Sequence, residues 1–223
     1  MDHDFLAGMM DVSILKPDNT IEHVRRMGEF ARKHRCIAVF SLPAFIPDVV
    51  RGLEGDKSIE VGGPVGFPSG GELTSIKIFQ TKELISAGCT EIDMVVNVGF
   101  VKSGQYDRAV EDIRGVIEAA GETPVKVIFE CYYLEDDEIR RLCGISAEAG
   151  AEYIKTGTGW APTGATPENV ALMKSEVGDS VKIKAAGGVR DLETVEELYG
   201  LGAVRFGVGL DSAVTIFEQL AGR

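Results

Sequence analysis

Charged side chains stand inside several segments that otherwise have the apolar composition of buried β-strands. Three are lysines: Lys126 in PVKVIFE, Lys155 in EYIKTGTG and Lys184 in VKIKAAGG. Two are acids: Asp11 in MMDVSIL and Asp93 in EIDMVVN. A fully buried charge is rare and costly unless it is paired or functional. A single one would most simply be a salt-bridged strand end, but five in different segments favour one shared functional cavity.

Schiff-base chemistry on an aldehyde or ketone is the reaction that these residue types would support together. A lysine amine is a nucleophile only when neutral, so its reference pKa of about 10.4 must fall through burial or a nearby cation. Lys155 is the best candidate, because it ends its segment just before the small residues TGTG. Lys184 could supply the neighbouring charge, and Asp93 could act as general acid and base.

The elements that must position these side chains are short β-rich segments that alternate with helical patterns. The eight predicted strands are 11–15, 36–41, 59–66, 91–96, 125–129, 152–156, 181–185 and 203–207. Dividing 223 residues by eight leaves about 28 per unit, close to the minimum for a (β/α)8 barrel. No linker divides the chain, and no G-x-G-x-x-G follows an early strand, as a dinucleotide-binding open sheet would require. The sequence therefore predicts an α/β protein, a single-domain (β/α)8 TIM barrel over residues 1–223.

Helix starts and ends are indicated by residues between the predicted strands. Thr166 precedes Pro167, which is typical of an N-cap followed by the first helical position. Asp191 is a second expected N-cap, and Gly121 is an expected helix end. Thr20 is expected to cap a helix without a capping box, because His23 rather than glutamate stands three residues later.

Glycines after the last two predicted strands indicate a phosphate site. Gly187 and Gly188 follow the seventh strand, and Gly207 and Gly209 close the eighth. Barrels often hold a phosphate group there, on backbone N–H groups of loops and helix starts. Arg190 is a plausible charged helper.

The overall charge restricts the classes of partner. The chain has 23 Lys and Arg against 35 Asp and Glu, a net charge of -12, which disfavours a nucleic-acid partner. No run of about 18 apolar residues occurs, so no membrane span is expected.

Cysteine and histidine usage restricts compartment and metal chemistry. The four cysteines form no C-x-x-C pair and follow no secretory signal, so a cytoplasmic location with free thiols is expected. The three histidines all lie in the first sixth of the chain, so neither a His-rich metal site nor a Ser-His-Asp triad is expected.

Seven ordered segments carry a family resemblance over nearly the whole chain. They are DVSILKP (11–17), VGFPSG (65–70), EIDMV (91–95), VKVIFE (125–130), YIKTGTG (153–159), KAAGGVR (184–190) and RFG (205–207). On these the chain resembles the class I, Schiff-base deoxyribose-phosphate aldolase family. The resemblance implies a (β/α)8 barrel with no cofactor. It also implies reversible cleavage of 2-deoxy-D-ribose 5-phosphate to D-glyceraldehyde 3-phosphate and acetaldehyde. Barrels of this type often form dimers or tetramers.

The resemblance implies a role for each matching residue. Lys155 would form the Schiff base, Lys184 would perturb it and join proton transfer, and Asp93 would be the general acid and base. The substrate-binding set would be Asp11, Ser13, Lys126 and Thr158, and the phosphate-binding set would be Gly159, Gly187, Gly188, Arg190, Gly207 and Gly209.

Departures from the family pattern concentrate at the phosphate end. Gly157 replaces a frequent serine, and Gly209 and Leu210 stand where one or two serines are usual. Phe40 takes a position that is often cysteine, and Ser13 keeps the hydroxyl of a common threonine. Three alternatives stay open: a sister Schiff-base aldolase acting on another sugar phosphate or keto acid, a non-catalytic phosphosugar-binding barrel, and a pyridoxal-phosphate enzyme.

Overall fold

Eight parallel strands pair in chain order, and the last closes on the first to form a barrel. The computed structural model describes residues 1–54 and 56–223. The strands are β1 Met10–Ile14, β2 Ala38–Ser41, β3 Glu60–Val65, β4 Glu91–Val95, β5 Val125–Ile128, β6 Tyr153–Lys155, β7 Lys182–Ala186 and β8 Ala203–Gly209. This is the single-domain (β/α)8 barrel that the sequence predicts, and all eight predicted strands are confirmed.

Helices connect the strands and cover the outside of the barrel. They are α1 His3–Ala7, α2 Ile21–His34, α3 Ile46–Gly52, α4 Thr74–Ser86, α5 Val98–Lys102, α6 Tyr106–Ala120, α7 Asp136–Ala149, α8 Pro167–Val177, α9 Leu192–Gly200 and α10 Leu210–Ala221. Short 3-10 turns occupy Pro43–Phe45 and Cys131–Tyr133. Among the described residues, no helix has the length and apolar character needed to cross a membrane.

Side-chain caps begin the helices at most of the expected positions. The Thr166 hydroxyl accepts from the Asn169 N–H at 3.2 Å, and the Asp191 carboxylate accepts from the Thr194 N–H at 2.8 Å. The expectation at Thr20 is wrong, because a capping box forms there: His23 Nδ1 accepts from the Thr20 N–H at 3.0 Å. An unprotonated imidazole nitrogen replaces the usual glutamate oxygen.

Apolar and charged side chains alternate along the strands and so lie on opposite faces of the sheet. Successive side chains of a strand point to opposite faces. One face carries apolar residues of the core, which are Val12, Val39, Val61, Ile92, Val127, Ile154 and Ile183. The residues between them in sequence include Asp11, Phe40, Asp93, Lys126, Lys155 and Lys184, which are also buried. The inside of this barrel is therefore built largely from paired charges, whereas bulky aliphatic layers usually fill such barrels.

Candidate active site

Lys155 is the last residue of β6, at the C-terminal end of the barrel where parallel-barrel active sites lie. Its Nζ donates to Asp93 Oδ2 at 2.7 Å, and its side chain is only 4% exposed. Thr156, the next residue, braces β6 to β7: its hydroxyl donates to the Ala186 carbonyl at 2.7 Å and accepts from the Ala186 N–H at 2.9 Å. This double contact holds Lys155 at the depth of Lys184, its register partner on β7.

Lys184 lies against two carboxylates and an aromatic ring. Its Nζ is 2.7 Å from Asp93 Oδ2 and 2.6 Å from Asp11 Oδ2. The Phe40 ring centroid is 3.9 Å from the same nitrogen, within the range of a cation–π interaction. A single oxygen of Asp93 therefore contacts both Lys155 and Lys184, and Lys184 has the larger number of stabilising partners.

The two neighbouring lysines respond to their surroundings in opposite directions. Burial lowers the pKa of Lys155, Asp93 opposes this and the Lys184 charge adds to it, and together they bring the pKa to about 8. Burial also acts against the charged form of Lys184, but Asp11 and Asp93 outweigh it and raise the pKa of Lys184. Burial alone would raise the pKa of Asp93, yet Lys155, Lys184 and Lys126 together hold it well below its usual value. At neutral pH, Lys155 is thus the lysine that most readily supplies a neutral amine, beside a fixed ammonium and a carboxylate.

A cavity of about 480 Å³ opens above Lys155 at the C-terminal ends of the strands. Most of the predicted site residues line it: Asp11, Ser13, Lys155, Thr158, Gly159, Lys184, Gly187, Gly188, Arg190, Gly207 and Gly209. Asp93 lies just below this surface, 1% exposed, and reaches the cavity through its contacts with the two lysines. The structure therefore brings together residues from strands that are far apart in the sequence.

The predicted phosphate end of the cavity consists mainly of backbone. Gly188 has φ 112°, a conformation that side-chain-bearing residues rarely adopt. Gly207 must lack a side chain, because a Cβ there would lie 3.1 Å from Lys184 Cε and 2.9 Å from the Ala186 Cβ. Gly209 is the N-cap of α10, and Asp211 and Ser212 in the first turn of that helix also line the cavity. N–H groups of a helix start are suited to an anionic ligand.

Lys126 lies apart from the other residues that the sequence predicts to bind substrate. It is fully buried on β5 and is absent from the cavity lining. Its Nζ donates to Glu91 Oε2 at 2.6 Å and lies 3.5 Å from Asp93 Oδ1. The ammonium is thus engaged by two carboxylates beneath the cavity floor, and one of them is Asp93, which also contacts Lys155.

Two charged residues of the site, Arg205 and Glu91, have no predicted role in the sequence analysis. Arg205 on β8 donates to Asp11 Oδ1 from Nε at 2.8 Å and from Nη2 at 2.5 Å, and it also contacts Glu91. Glu91 stands two residues before Asp93 on β4, so strand alternation places both on the same face. That spacing is the signal that could have identified Glu91. Arg205 likewise stands two residues before Gly207.

A second set without a predicted role consists of Glu130, Trp160 and Lys16, which lie in loops near the cavity. Glu130 follows β5 and accepts from the Thr158 N–H at 3.1 Å and from the Thr158 hydroxyl. The Trp160 indole N–H donates to the Leu15 carbonyl at 2.9 Å, and Lys16 Nζ donates to the Gly159 carbonyl at 3.3 Å. The contacts of Trp160 and Lys16 join the loops after β1 and β6 at the cavity mouth. Most of these residues stand in the segments that carry the family resemblance, but the contacts themselves have no signal in the sequence, because each depends on a loop conformation.

The fold and this arrangement define a class of protein, the barrel aldolases that use an amine to activate a carbonyl substrate. The comparisons with known proteins agree. A family model described as DeoC/LacD family aldolase matches residues 1–209, and the chain belongs to this family of carbon–carbon lyases. A deoxyribose-phosphate aldolase of Klebsiella pneumoniae is 43% identical over 96% of this chain and 87% of that protein. One from Staphylococcus carnosus is 38% identical over 96% of each chain.

Solved structures give the same fold. A putative deoxyribose-phosphate aldolase from Coccidioides immitis superposes with a TM-score of 0.94 at 30% identity, covering 99% of this chain and 87% of that one. The tetrameric deoxyribose phosphate aldolase from Aeropyrum pernix superposes with a TM-score of 0.89 at 26% identity, covering 99% and 92%.

Proposed function

We propose that the chain reversibly cleaves 2-deoxy-D-ribose 5-phosphate to D-glyceraldehyde 3-phosphate and acetaldehyde through a Schiff base on Lys155. The relatives named deoxyribose-phosphate aldolase support the substrate. The observation that carries the mechanism is the position of the Lys155 amine, in the cavity floor and 2.7 Å from the carboxylate that Lys184 also contacts.

Imine formation uses the neutral amine of Lys155. The amine attacks C1 of the open-chain sugar, and the resulting carbinolamine loses water to give a protonated imine. Asp93 and Lys184 contact each other at 2.7 Å, so a proton can pass between them and the carbinolamine oxygen. The fixed positive charge of Lys184 favours the neutral form of Lys155 before attack.

Carbon–carbon cleavage follows from the electron demand of the iminium. A base removes the proton of the C3 hydroxyl, and the C2–C3 bond breaks. The electron pair of that bond forms the C1–C2 double bond of an enamine, and the C=N electron pair moves onto the iminium nitrogen, which becomes neutral. D-Glyceraldehyde 3-phosphate leaves with C3 as its aldehyde carbon. The enamine is protonated at C2, and water hydrolyses the acetaldehyde imine to acetaldehyde and free Lys155. Asp93, which contacts the Lys155 amine, and Lys184, which contacts Asp93, are assigned as the acid–base groups for these steps.

Phosphate recognition is assigned to the other end of the cavity. Backbone groups at Gly159, Gly187, Gly188, Gly207 and Gly209 surround it, and Arg190 is an exposed cation on its rim. Asp11, Ser13 and Thr158 lie between this end and Lys155 and are assigned to the sugar hydroxyls, although Asp11 also engages Arg205 and Lys184. Because the net charge is -12, the anion must be held by this local patch against the field of the molecule.

Borohydride trapping with acetaldehyde tests the mechanism. Reduction should leave an adduct that peptide mass mapping places on Lys155, and Lys155→Ala should abolish both the adduct and turnover. A chain that binds sugar phosphate but forms no adduct on Lys155 would instead be a phosphosugar-binding barrel.

A substrate panel tests the sugar. Gly157, Gly209 and Leu210 offer no hydroxyl where the family usually has one, so other sugar phosphates and keto-acid aldols belong in the panel. Efficient cleavage of another aldol, with none of 2-deoxy-D-ribose 5-phosphate, would identify a sister aldolase.

A homo-oligomeric assembly is a further part of the proposal. The relative from Aeropyrum pernix is a tetramer, which supports a dimer or tetramer here. Light scattering coupled to size-exclusion chromatography would measure the mass, and a value near 24.0 kDa would show a monomer.

A cytoplasmic location is proposed from the thiols. Cys36, Cys89, Cys131 and Cys143 are free and buried, as is usual in a reducing compartment. Fractionation of the source cells would test it.

A further inference from the structure

Six charged side chains form a closed ring inside the barrel, with acids and bases alternating around it. In order they are Glu91, Arg205, Asp11, Lys184, Asp93 and Lys126, and Lys126 returns to Glu91. We call this set the charge ring. All six side chains are almost completely buried.

The lower half of the charge ring is centred on Arg205. Its Nη2 lies 2.5 Å from Asp11 Oδ1 and 3.0 Å from Glu91 Oε2. Glu91 Oε2 lies 2.6 Å from Lys126 Nζ. Neither Glu91 nor Arg205 lines the cavity, and no step of the proposed reaction uses them.

The upper half of the charge ring carries the reactive amine. Lys184 bridges Asp11 and Asp93 at 2.6 and 2.7 Å, and Lys126 lies 3.5 Å from the other oxygen of Asp93. Lys155 is not a member of the ring, but its Nζ lies 2.7 Å from Asp93 Oδ2. Three carboxylates balance three cations within the ring, so protonated Lys155 adds a positive charge that no carboxylate of the ring balances.

The charged groups around Lys155 come from several elements. Asp93 faces it from β4, Lys184 from β7, Asp11 from β1 and Lys126 from β5, all as members of the charge ring. The remaining neighbour is Glu130, after β5, whose carboxyl accepts two hydrogen bonds from Thr158. Burial raises the pKa of that carboxyl, and both of its oxygens are engaged by Thr158 rather than by the Lys155 amine.

We propose that Glu91 and Arg205 are positioning residues that keep the charge ring neutral and thereby hold the Lys155 amine ready to lose its proton. The inference rests on the proposed Schiff-base function and adds two residues that act without touching substrate. Their effect passes through the alternating contacts to Asp93, which lies beside the amine. A purely structural role, tying β8 to β1 and β4, would not depend on the sign of the charge removed.

Opposite charge deletions separate the two roles. Arg205→Met leaves the ring with excess negative charge, which favours protonated Lys155. Glu91→Gln leaves excess positive charge, which favours the neutral amine. A unit charge about 10 Å away at an effective dielectric constant of about 20 shifts a titration by roughly one pH unit. The pH midpoint of borohydride-trapped adduct formation with acetaldehyde should therefore move up in Arg205→Met and down in Glu91→Gln.

Two further variants control for packing. The double variant Glu91→Gln/Arg205→Met restores neutrality, so its midpoint should return to within a few tenths of a pH unit of the wild-type value. Asp112→Asn is the matched control, because Asp112 forms an equally buried ion pair with Lys77 at 2.5 Å, outside the barrel between α4 and α6. It should leave the midpoint in place.

The outcomes distinguish this inference from the proposed function. Absence of a Lys155 adduct in the wild type would remove the proposed function itself. A wild-type adduct combined with unshifted midpoints, or with shifts of the same sign in both single variants, would overturn the role of Glu91 and Arg205. If Arg205→Met does not fold, the Glu91→Gln shift and the double variant decide: a downward shift that the double variant reverses supports the charge ring, and any other result contradicts it.

Discussion

Lys155 and Lys184 show how partners, rather than residue type, decide what a buried lysine does. The two are register partners on β6 and β7, and both contact the same oxygen of Asp93. Lys184 contacts a second carboxylate and lies 3.9 Å from the Phe40 ring centroid, whereas Lys155 makes its ion pair with Asp93 and lies 6.0 Å from the same centroid. Their pKa values consequently move apart, with Lys155 lowered to about 8 and Lys184 raised. Groups whose environments separate their pKa values in this way divide nucleophile from acid.

Replacing Lys184 with leucine should shift the pH dependence of catalysis to higher pH. Loss of its ammonium removes a charge that lowers the pKa of Lys155 and leaves the three carboxylates with fewer cations. We expect the rising limb of kcat/KM to move from about pH 8 toward the value of an ordinary lysine. A pH–rate profile of Lys184→Leu checks this, and an unchanged limb would exclude Lys184 as the perturbing charge.

At the scale of elements, the sequence predicts the strands well because buried parallel strands are apolar runs between helical patterns. Each predicted strand ends within two residues of its position in the structure. The side-chain partners are less predictable. Lys126 is recognisable in the sequence as a buried charge, but its partner Glu91 lies on another strand. Only the register of β4 and β5 shows that Lys126 lies beneath the cavity floor. Loop contacts such as Trp160 to Leu15 join residues far apart in sequence and have no local signal.

The fit between β2 and β3 predicts a coupled pair of substitutions. A Cβ on Gly62 would lie 2.0 Å from Phe40 Cε1, so Gly62→Ala forces the ring out of its place. We expect a loss of roughly 1–3 kcal/mol in the free energy of unfolding, the usual range for overpacking.

A double-mutant cycle checks the cause. In a Phe40→Leu background, Gly62→Ala should cost distinctly less, because the shorter side chain no longer meets the new methyl group. Urea denaturation of the four proteins measures this, and strictly additive losses would show that the Phe40 ring is not what requires glycine at position 62.

At the scale of the whole molecule, the buried ammonium of Lys155 lowers the free energy of unfolding. The pKa of Lys155 falls from 10.5 to about 8 on folding, so the folded state binds fewer protons than the unfolded state between these values. Stability therefore rises with pH across that interval, and below about pH 8 the full penalty of holding a buried ammonium applies. Asp11 and Asp93 stabilise the folded state instead, and at low pH they too make stability rise with pH. Their lowered pKa values contribute stability that is present above their unfolded values and is lost as pH falls through the folded ones.

Lys155→Met should accordingly be inactive but more stable than the wild type at pH 7. The side chains are similar in length, Asp93 keeps Lys184 and Lys126 as partners, and the charge ring stays neutral. We expect a gain of about 1–3 kcal/mol at neutral pH, from about 1.4 kcal/mol per unit of pKa shift. Denaturant unfolding at pH 7 and pH 10.5 measures it, and the gain should fall toward zero at the higher pH. A gain of the same size at both pH values would point to packing rather than to the ammonium.

The charge ring also constrains the order of events in folding. Its members come from β1, β4, β5, β7 and β8, so no contiguous part of the chain that lacks either end can assemble it. Arg205, on the last strand, joins Asp11 on the first to Glu91 on the fourth. Before β8 docks, Asp11 and Glu91 each lack one of two cationic partners, and burying an incompletely paired charge is strongly unfavourable. Partly closed barrels are therefore penalised, and closure of the sheet and desolvation of its interior become one cooperative step.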